Sequence, residues 1–269
     1  MSSDTRHPVK VSVQLGQGRA DYSMNRDAWI ACDKLGVDGI FNCDHFFTGG
    51  DNPDGMFLEA WMSLAGFAEV TKRAQIGVLV SGNSYRNPNL LADMARTVDH
   101  ISGGRLILGI GSGWAERDYV EYGFEFGTAA SRLQDLKRDL PIIRDRLAKL
   151  NPGPVNGSLP IMIGGSGEKV TLKLVAEHAT IWHCLGDLET LKHKASVLDD
   201  WCAKIGRNLE EIERSANIGS DELAKADELV AAGFTHLVYN TGGPTFNLDP
   251  LPDLVAWRDK RNDRQDASS

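Results

Sequence analysis

Short apolar runs and amphipathic stretches alternate along this chain. In "VKVSVQLG" the apolar residues fall at every second position, the period of a strand with one buried face. Helical spacing follows over Met24–Leu35 and stops at Gly36. "GIFNCDHF" reads as a second strand, Leu58–Val70 as a helix and "AQIGVLVS" as a third strand. The sharpest helical signal is "NPNLLADMARTVDHISGG". Leu91, Met94, Ala95, Val98 and Ile101 share one face, Pro88 sits near the start, and Gly103 and Gly104 close the end. "RLILGIGSG" is apolar almost throughout, as a strand covered on both faces requires.

The second half keeps the rhythm. Leu133, Leu136, Leu140, Ile143, Leu147 and Leu150 hold helical spacing, with Pro141 predicting a kink or a restart. "NPGPVNGSLP" has loop composition. "IMIG", a helix over Lys169–Ala179, "TIWHCL" and a helix over Leu188–Ile205 follow. "RSANIG", a helix from Asp221 to about Ala232, "THLVYN" and a helix near Leu251–Lys260 complete the series. Eight strand–helix pairs imply a parallel sheet. Eight pairs in 269 residues favour a closed α/β barrel, the (β/α)8 TIM barrel, over an open doubly wound sheet. With no repeat or linker in view, the expectation is one barrel domain over 1–262 and an unstructured tail over 263–269.

Composition narrows the function classes. A hydrophobic content of 42% supports one substantial core. The net charge of −8, without any basic block, argues against nucleic acid and membrane surfaces as partners, though a local basic patch for an anion remains open. The start "MSSDTRHPVK" has no apolar signal core and no apolar run reaches 18 residues, so a soluble, cytoplasmic protein is expected. Cys32, Cys43, Cys184 and Cys202 lack paired spacing and read as buried free thiols. Adjacent His183 and Cys184 do not converge on one ion, so no metal is expected.

In such a barrel the chemistry sits where strands end and helices begin. "CDHF" puts Asp44 and His45 there: an imidazole for acid/base work beside a group that orients ligand or ring, or a structural pair that anchors the loop. In "GVLVSGNSYRNP", Gly77, Ser81, Gly82 and Asn83 interrupt an apolar strand, as at a bulge or a close ligand approach. "GIGSGW" has glycine at three alternate positions, which leaves backbone uncovered for a flat ligand; it is not G-x-G-x-x-G. Trp114 can stack on a ring or pack at the rim. "IMIGGSGEK" allows backbone amides of Gly164, Gly165 and Gly167 to approach an oxyanion, with Ser166 as donor and Lys169 nearby. No nucleophile elbow, H-E-x-x-H or paired-carboxylate signal is present. The strand ends read as a holder for a planar, phosphate-bearing cofactor.

These motifs, in this order, resemble the bacterial luciferase-like superfamily and, within it, the coenzyme F420-dependent oxidoreductases. The matching pieces are "GVDGIFNCDHF", the run from "EAWMSLAGFAEV" to "AERDYVEYGF", and "PIMIGGSGEKVTLKLVAEHA", about Leu35 to Trp182. The resemblance implies a (β/α)8 barrel that binds F420, with FMN as the alternative, and moves a hydride between the deazaflavin and a small organic substrate. It implies a non-proline cis peptide between Gly77 and Ser81, first choice Val78–Leu79, with the ring lying against it. Asp44 and His45 would contact the ring and assist proton transfer. Val78, Leu79, Ser81, Ser112 and Gly113 would line the ring, and the turn of Gly164, Gly165, Ser166, Gly167 and Glu168 would grip the phosphate-bearing tail. A homodimer through barrel helices is also implied.

The chain departs from the family in three places. Trp114 stands where sugar-phosphate dehydrogenases of the family carry Glu, which marks Trp114 as a substrate-pocket residue and speaks against sugar phosphates. "AKLNPGPVNGSLP" is shorter than in relatives and predicts a more open site. "ATIWHC", with Thr180 and His183, replaces the usual Ala-Asp-x-Trp-Asn. The same barrel also accommodates an FMN-dependent monooxygenase or flavin reductase, or a cofactor-binding homologue without activity.

Overall fold

The computed structural model describes residues 7–50, 52–220 and 223–266. Its strands are β1 (Lys10–Gly16), β2 (Gly39–Asn42), β3 (Gln75–Val78), β4 (Ser81–Gly82), β5 (Leu106–Gly111), β6 (Ile161–Gly164), β7 (Ile181–Cys184), β8 (Glu213–Ile218) and β9 (His236–Gly242). Every pairing is parallel. β3 and β4 are two pieces of one barrel strand. β5 pairs with β3 through Ile76 and Leu106, and with β4 through Ser81 and Ile110. The β3–β5 pairing closes the order β3-β2-β1-β9-β8-β7-β6-β5-β4 into a ring. The expected (β/α)8 barrel is the fold.

The helices are α1 (Tyr22–Leu35), α2 (Ala60–Val70), α3 (Pro88–Ser102), α4 (Glu116–Tyr122), α5 (Ala129–Lys149), α6 (Thr171–His178), α7 (Leu188–Ile205), α8 (Leu223–Ala231) and α9 (Leu251–Asp266). Side chains cap the starts of several of them. Asp21 accepts from the Met24 N–H, and Asn87 accepts from Asn89 and Leu90 just before Pro88. Thr128 and Ser131 cap α5 reciprocally. Gly36 and Gly103 end α1 and α3 in the left-handed region, where a side chain would be strained.

Three expectations change. α5 runs unbroken across Pro141. Pro141 and Lys137 both lie on its exposed side, so water can satisfy the carbonyl that the proline cannot bond. α4 has no counterpart in the sequence reading. α9 continues to Asp266, past the expected boundary at 262; residues 267–269 lie outside the described residues, as do Asp221 and Glu222, where α8 was expected to start. Among the described residues no helix is long and apolar enough to cross a membrane.

Alternation along the strands sorts side chains into two cores. Outward residues such as Val78, Ile110 and Trp182 meet the helices, where Trp29 stacks on Phe67 at 4.7 Å. Inward residues Phe41, Leu79, Ile107, Met162, Ile181 and Val238 plug the barrel. Near the amino ends of the strands the interior is polar. Lys10 Nζ lies 3.0 Å from Glu213 Oε2, and Ser12 Oγ lies 2.7 Å from His236 Nε2. Burial alone would raise the Glu213 carboxyl, but His236 and Lys10 outweigh it and bring it from 4.5 down to about 2. The unfolded chain therefore takes up this proton first as pH falls. The resulting stabilisation is complete above about pH 4.5, amounts to about 3 kcal/mol, and is lost as pH falls toward about 2. Urea unfolding should show the stability gap between wild type and Glu213→Gln narrowing across that window. A gap independent of pH would refute the assignment.

Candidate active site

A cavity of about 520 Å³ opens at the carboxyl ends of the barrel strands. It gathers Asp44, His45, Leu79, Ser81, Ser112, Gly113, Trp114, Gly164, Gly165 and Ser166 from the sequence-predicted set. Val78, Gly167 and Glu168 do not line it. Strand alternation explains Val78, which is fully buried on the helix side while Leu79 faces inward.

Past β2, the chain is fixed by Gln17. Its Nε2 donates to the Cys43 carbonyl at 2.6 Å, and its Oε1 accepts from the Cys43 N–H at 3.1 Å. The next two residues then meet different partners. Asp44 is fully buried and receives Arg86 on both oxygens, at 2.6 and 2.9 Å, plus the Gly82 N–H at 2.9 Å. Through these bonds its carboxylate ties the β2 and β4 ends together at the edge of the cavity. His45 Nδ1 lies 2.7 Å from Asp118 Oδ2 on α4. A carboxylate only accepts, so Nδ1 donates, and the neutral ring carries its lone pair on Nε2. Nε2 has no hydrogen-bond partner among the described residues. Asp118 is itself held by the Tyr85 hydroxyl at 3.1 Å and the Phe46 N–H at 3.2 Å. Burial pushes the Cys43 thiol up to about 12, so it stays protonated and inert.

The interruption of the third strand is a cis peptide at Leu79–Val80, one residue beyond the first choice of Val78–Leu79. Pairing with β2 continues up to this bond, where the Leu79 N–H donates to the Asn42 carbonyl at 2.8 Å. The Leu79 carbonyl turns inward to the Gln14 amide at 2.5 Å. Val80 then lies across two bare strand ends. A Cβ on Gly111 would come within 2.9 Å of its side chain, and one on Gly164 within 3.0 Å. Gly111, expected to face a flat ligand, and Gly164, expected to approach an oxyanion, thus both seat Val80, and Val80 supplies part of the apolar floor.

The Gly-rich corner is anchored from below. Trp182 Nε1 donates to the Gly165 carbonyl at 2.8 Å, and Gly165 N–H bonds the His183 carbonyl at 3.1 Å. The amides of Ser166, Gly167 and Glu168 have no partner among the described residues. The Glu168 carboxylate turns away to His193 and Lys194, at 2.9 and 2.6 Å, and the Lys194 hydrogen bond holds it below the usual carboxylate range. Its contribution to the corner is therefore its amide rather than its charge. Thr180 bonds Ile161 and stays outside the cavity. At the rim, Trp114 is 74% exposed and meets His45 edge-on at 5.4 Å.

Several lining residues escape a reading of sequence. Gln14 and Asn217 come from strands with no motif, and Tyr85 lies within the quoted third-strand stretch without being singled out, whereas His183 was marked as a departure from the family and does line the cavity. Asp118 was hidden because α4 is only seven residues long. Its signal was present: Glu116 and Asp118 in a first turn, with Gly123 closing the helix in the left-handed region.

The sequence matches the luciferase-like monooxygenase family over residues 1–234. The chain belongs to that family. Among curated luciferase-like relatives, an F420-dependent glucose-6-phosphate dehydrogenase of Amycolatopsis mediterranei is 34% identical over 121 residues, covering 43% of this chain and 35% of its own length. An uncharacterised protein of Mycobacterium tuberculosis is 25% identical over 164 residues, 56% of this chain and 58% of its own. The chain thus spans less than two thirds of these relatives. Among solved structures, an F420-dependent secondary alcohol dehydrogenase in complex with an F420–acetone adduct superposes with a TM-score of 0.80 at 14% identity, covering 94% of this chain and 99% of its own. The F420-dependent tetrahydromethanopterin reductase of Methanopyrus kandleri superposes with a TM-score of 0.73 at 16% identity, covering 93% and 97%.

Proposed function

We propose that the protein is an F420-dependent oxidoreductase that transfers a hydride between the deazaflavin and a small neutral organic substrate. One observation carries this reading: a single cavity brings Ser166, the first residue of the free-amide corner, together with a flat apolar floor and a histidine oriented for proton transfer. The residues present fit the cofactor. Ser166, Gly167 and Glu168 offer free amides for a phosphate-bearing tail, and Leu79 and Val80 offer the floor for a ring. When bound, the cofactor supplies the redox carbon. The protein supplies position and protons. His45 Nε2 takes or gives the balancing proton, and Asp118 fixes the tautomer that makes this possible. Trp114 beside His45 favours an apolar group next to the reacting centre. The same reading takes the protein to work as a cytoplasmic homodimer, with the exposed Met62 and Leu90 on α2 and α3 as the pairing face.

Fluorescence titration of the purified protein with F420 and FMN, side by side, tests the cofactor assignment. Micromolar or tighter binding of F420 with weaker FMN binding is expected. The opposite preference would make it a flavin enzyme, and binding of neither would overturn the reading.

A further inference from the structure

Asp118 is 2% exposed, and its carboxylate takes three donors. The Phe46 N–H bonds Oδ1 at 3.2 Å. The other two meet on one atom: Oδ2 lies 2.7 Å from His45 Nδ1 and 3.1 Å from the Tyr85 hydroxyl. Burial, with the Asp118 charge beside it, pushes the Tyr85 hydroxyl well above its ordinary range. It therefore keeps its proton and acts on Asp118 only as a donor.

The interrupted third strand places Tyr85 for this contact. Tyr85 ends the short turn of Asn83–Tyr85 that follows β4. A Cβ on Gly82 would fall 2.7 Å from its ring, so glycine at 82 gives the ring its room. Phe124 stacks on the ring at 5.2 Å, and Tyr119 meets it edge-on at 5.0 Å. Packing thus holds the ring, and the hydroxyl has no other partner among the described residues.

Two donors on one oxygen compete. Each draws charge from Oδ2 and weakens the other's bond. A carboxylate with one donor fewer holds an imidazolium more strongly. The other charges around His45 are matched elsewhere. On its own segment, Asp44 is taken by Arg86, which also holds Glu59, and Cys43 stays a thiol. On α4, Arg117 pairs with Asp54 and Glu121, and Glu116 lies exposed at the helix start. Asp118 is the charge that His45 faces, and Tyr85 moderates it.

We propose that Tyr85 is a positioning residue for His45: by sharing Asp118 Oδ2 it limits how tightly the histidine holds a proton, so that the ring can give one up as well as take one. This rests on the reading of His45 as acid/base above.

NMR titration of the His45 ring in the cofactor-free protein reads that hold directly, with His45→Ala identifying the signal. Tyr85→Phe removes only the hydroxyl. Its His45 midpoint should lie about half a pH unit or more above that of wild type, a fraction of one charge-assisted hydrogen bond. Tyr119→Phe removes a hydroxyl of the same aromatic cluster, one that donates to the Ser112 carbonyl, and should leave the midpoint in place. In an Asp118→Asn background Tyr85→Phe should have no further effect. Should Tyr85→Phe not fold, replacing Tyr85 by ortho-fluorotyrosine keeps the shape, strengthens the donor and should lower the midpoint. A midpoint that Tyr85→Phe leaves unchanged or lowers, that Tyr119→Phe raises equally, or that the stronger donor fails to lower, would overturn the proposal and leave the acid/base reading intact. Failure of that reading shows instead in turnover, where His45→Ala would run at the wild-type rate.

Discussion

Replacing His45 by Ala is expected to lower kcat about 10²–10⁴-fold while the Kd for F420 stays within about threefold. The expectation follows from the proposed function, with His45 Nδ1 donated to Asp118 at 2.7 Å and Nε2 left for a reacting group. Asp118→Asn should also cost activity, because an amide can donate to Nδ1 and shift the ring proton to Nε2. Both variants keep the amide corner and the floor, so the binding term should survive. The assay is steady-state turnover of F420 with the alcohol, aldehyde or enone that a substrate screen returns, alongside equilibrium titration. Unchanged kcat in His45→Ala would end its assignment as acid/base. A parallel loss of F420 binding would recast it as a cofactor contact.

Asp44→Asn is expected to destabilise the fold by about 3–5 kcal/mol, the usual consequence of leaving a buried charge without its partner. Arg86 is 9% exposed at its side chain and would keep only Glu59, itself partly in water. Gly82 would also lose the carboxylate that receives its N–H at 2.9 Å. Urea unfolding at neutral pH reads the loss directly. A variant as stable as wild type with sharply reduced kcat would show that Asp44 belongs to the chemistry after all. The two variants of one dipeptide therefore separate two roles: one changes rate and the other changes stability.

Adjacent residues with such different partners mark the limit of what the sequence could tell. The barrel itself was legible, because apolar periodicity and capping residues act locally. α7, bounded by Asp187 and Gly206, matches its expected limits of Leu188–Ile205. The strand-end motifs were legible as well, since glycine and Asp–His patterns mark backbone approach and chemistry. Partnerships across the barrel were not. Asp118 lies 73 residues from His45, and only the closure of the sheet and the aromatic packing of Phe46 against Tyr85 and Tyr122 bring α4 onto the β2 end. The cis peptide moved by one residue because its position depends on how far the β2 ladder runs, which is set by a neighbouring strand. The glycines of "GIGSG" and "IMIGG" were read as bare backbone for a ligand, because nothing local shows that Val80 from another strand would occupy them.

That seat for Val80 ties three strands into one packing unit. A side chain at 111 or 164 would press on the Val80 methyls, at 2.9 and 3.0 Å, and force them to shift, while a smaller residue at 80 would leave a hollow under whatever lies above it. Beside Leu79, Val80 thus sets the height of the pocket floor. A larger or smaller residue at 80 would therefore raise or lower that part of the floor while both glycines stayed in place.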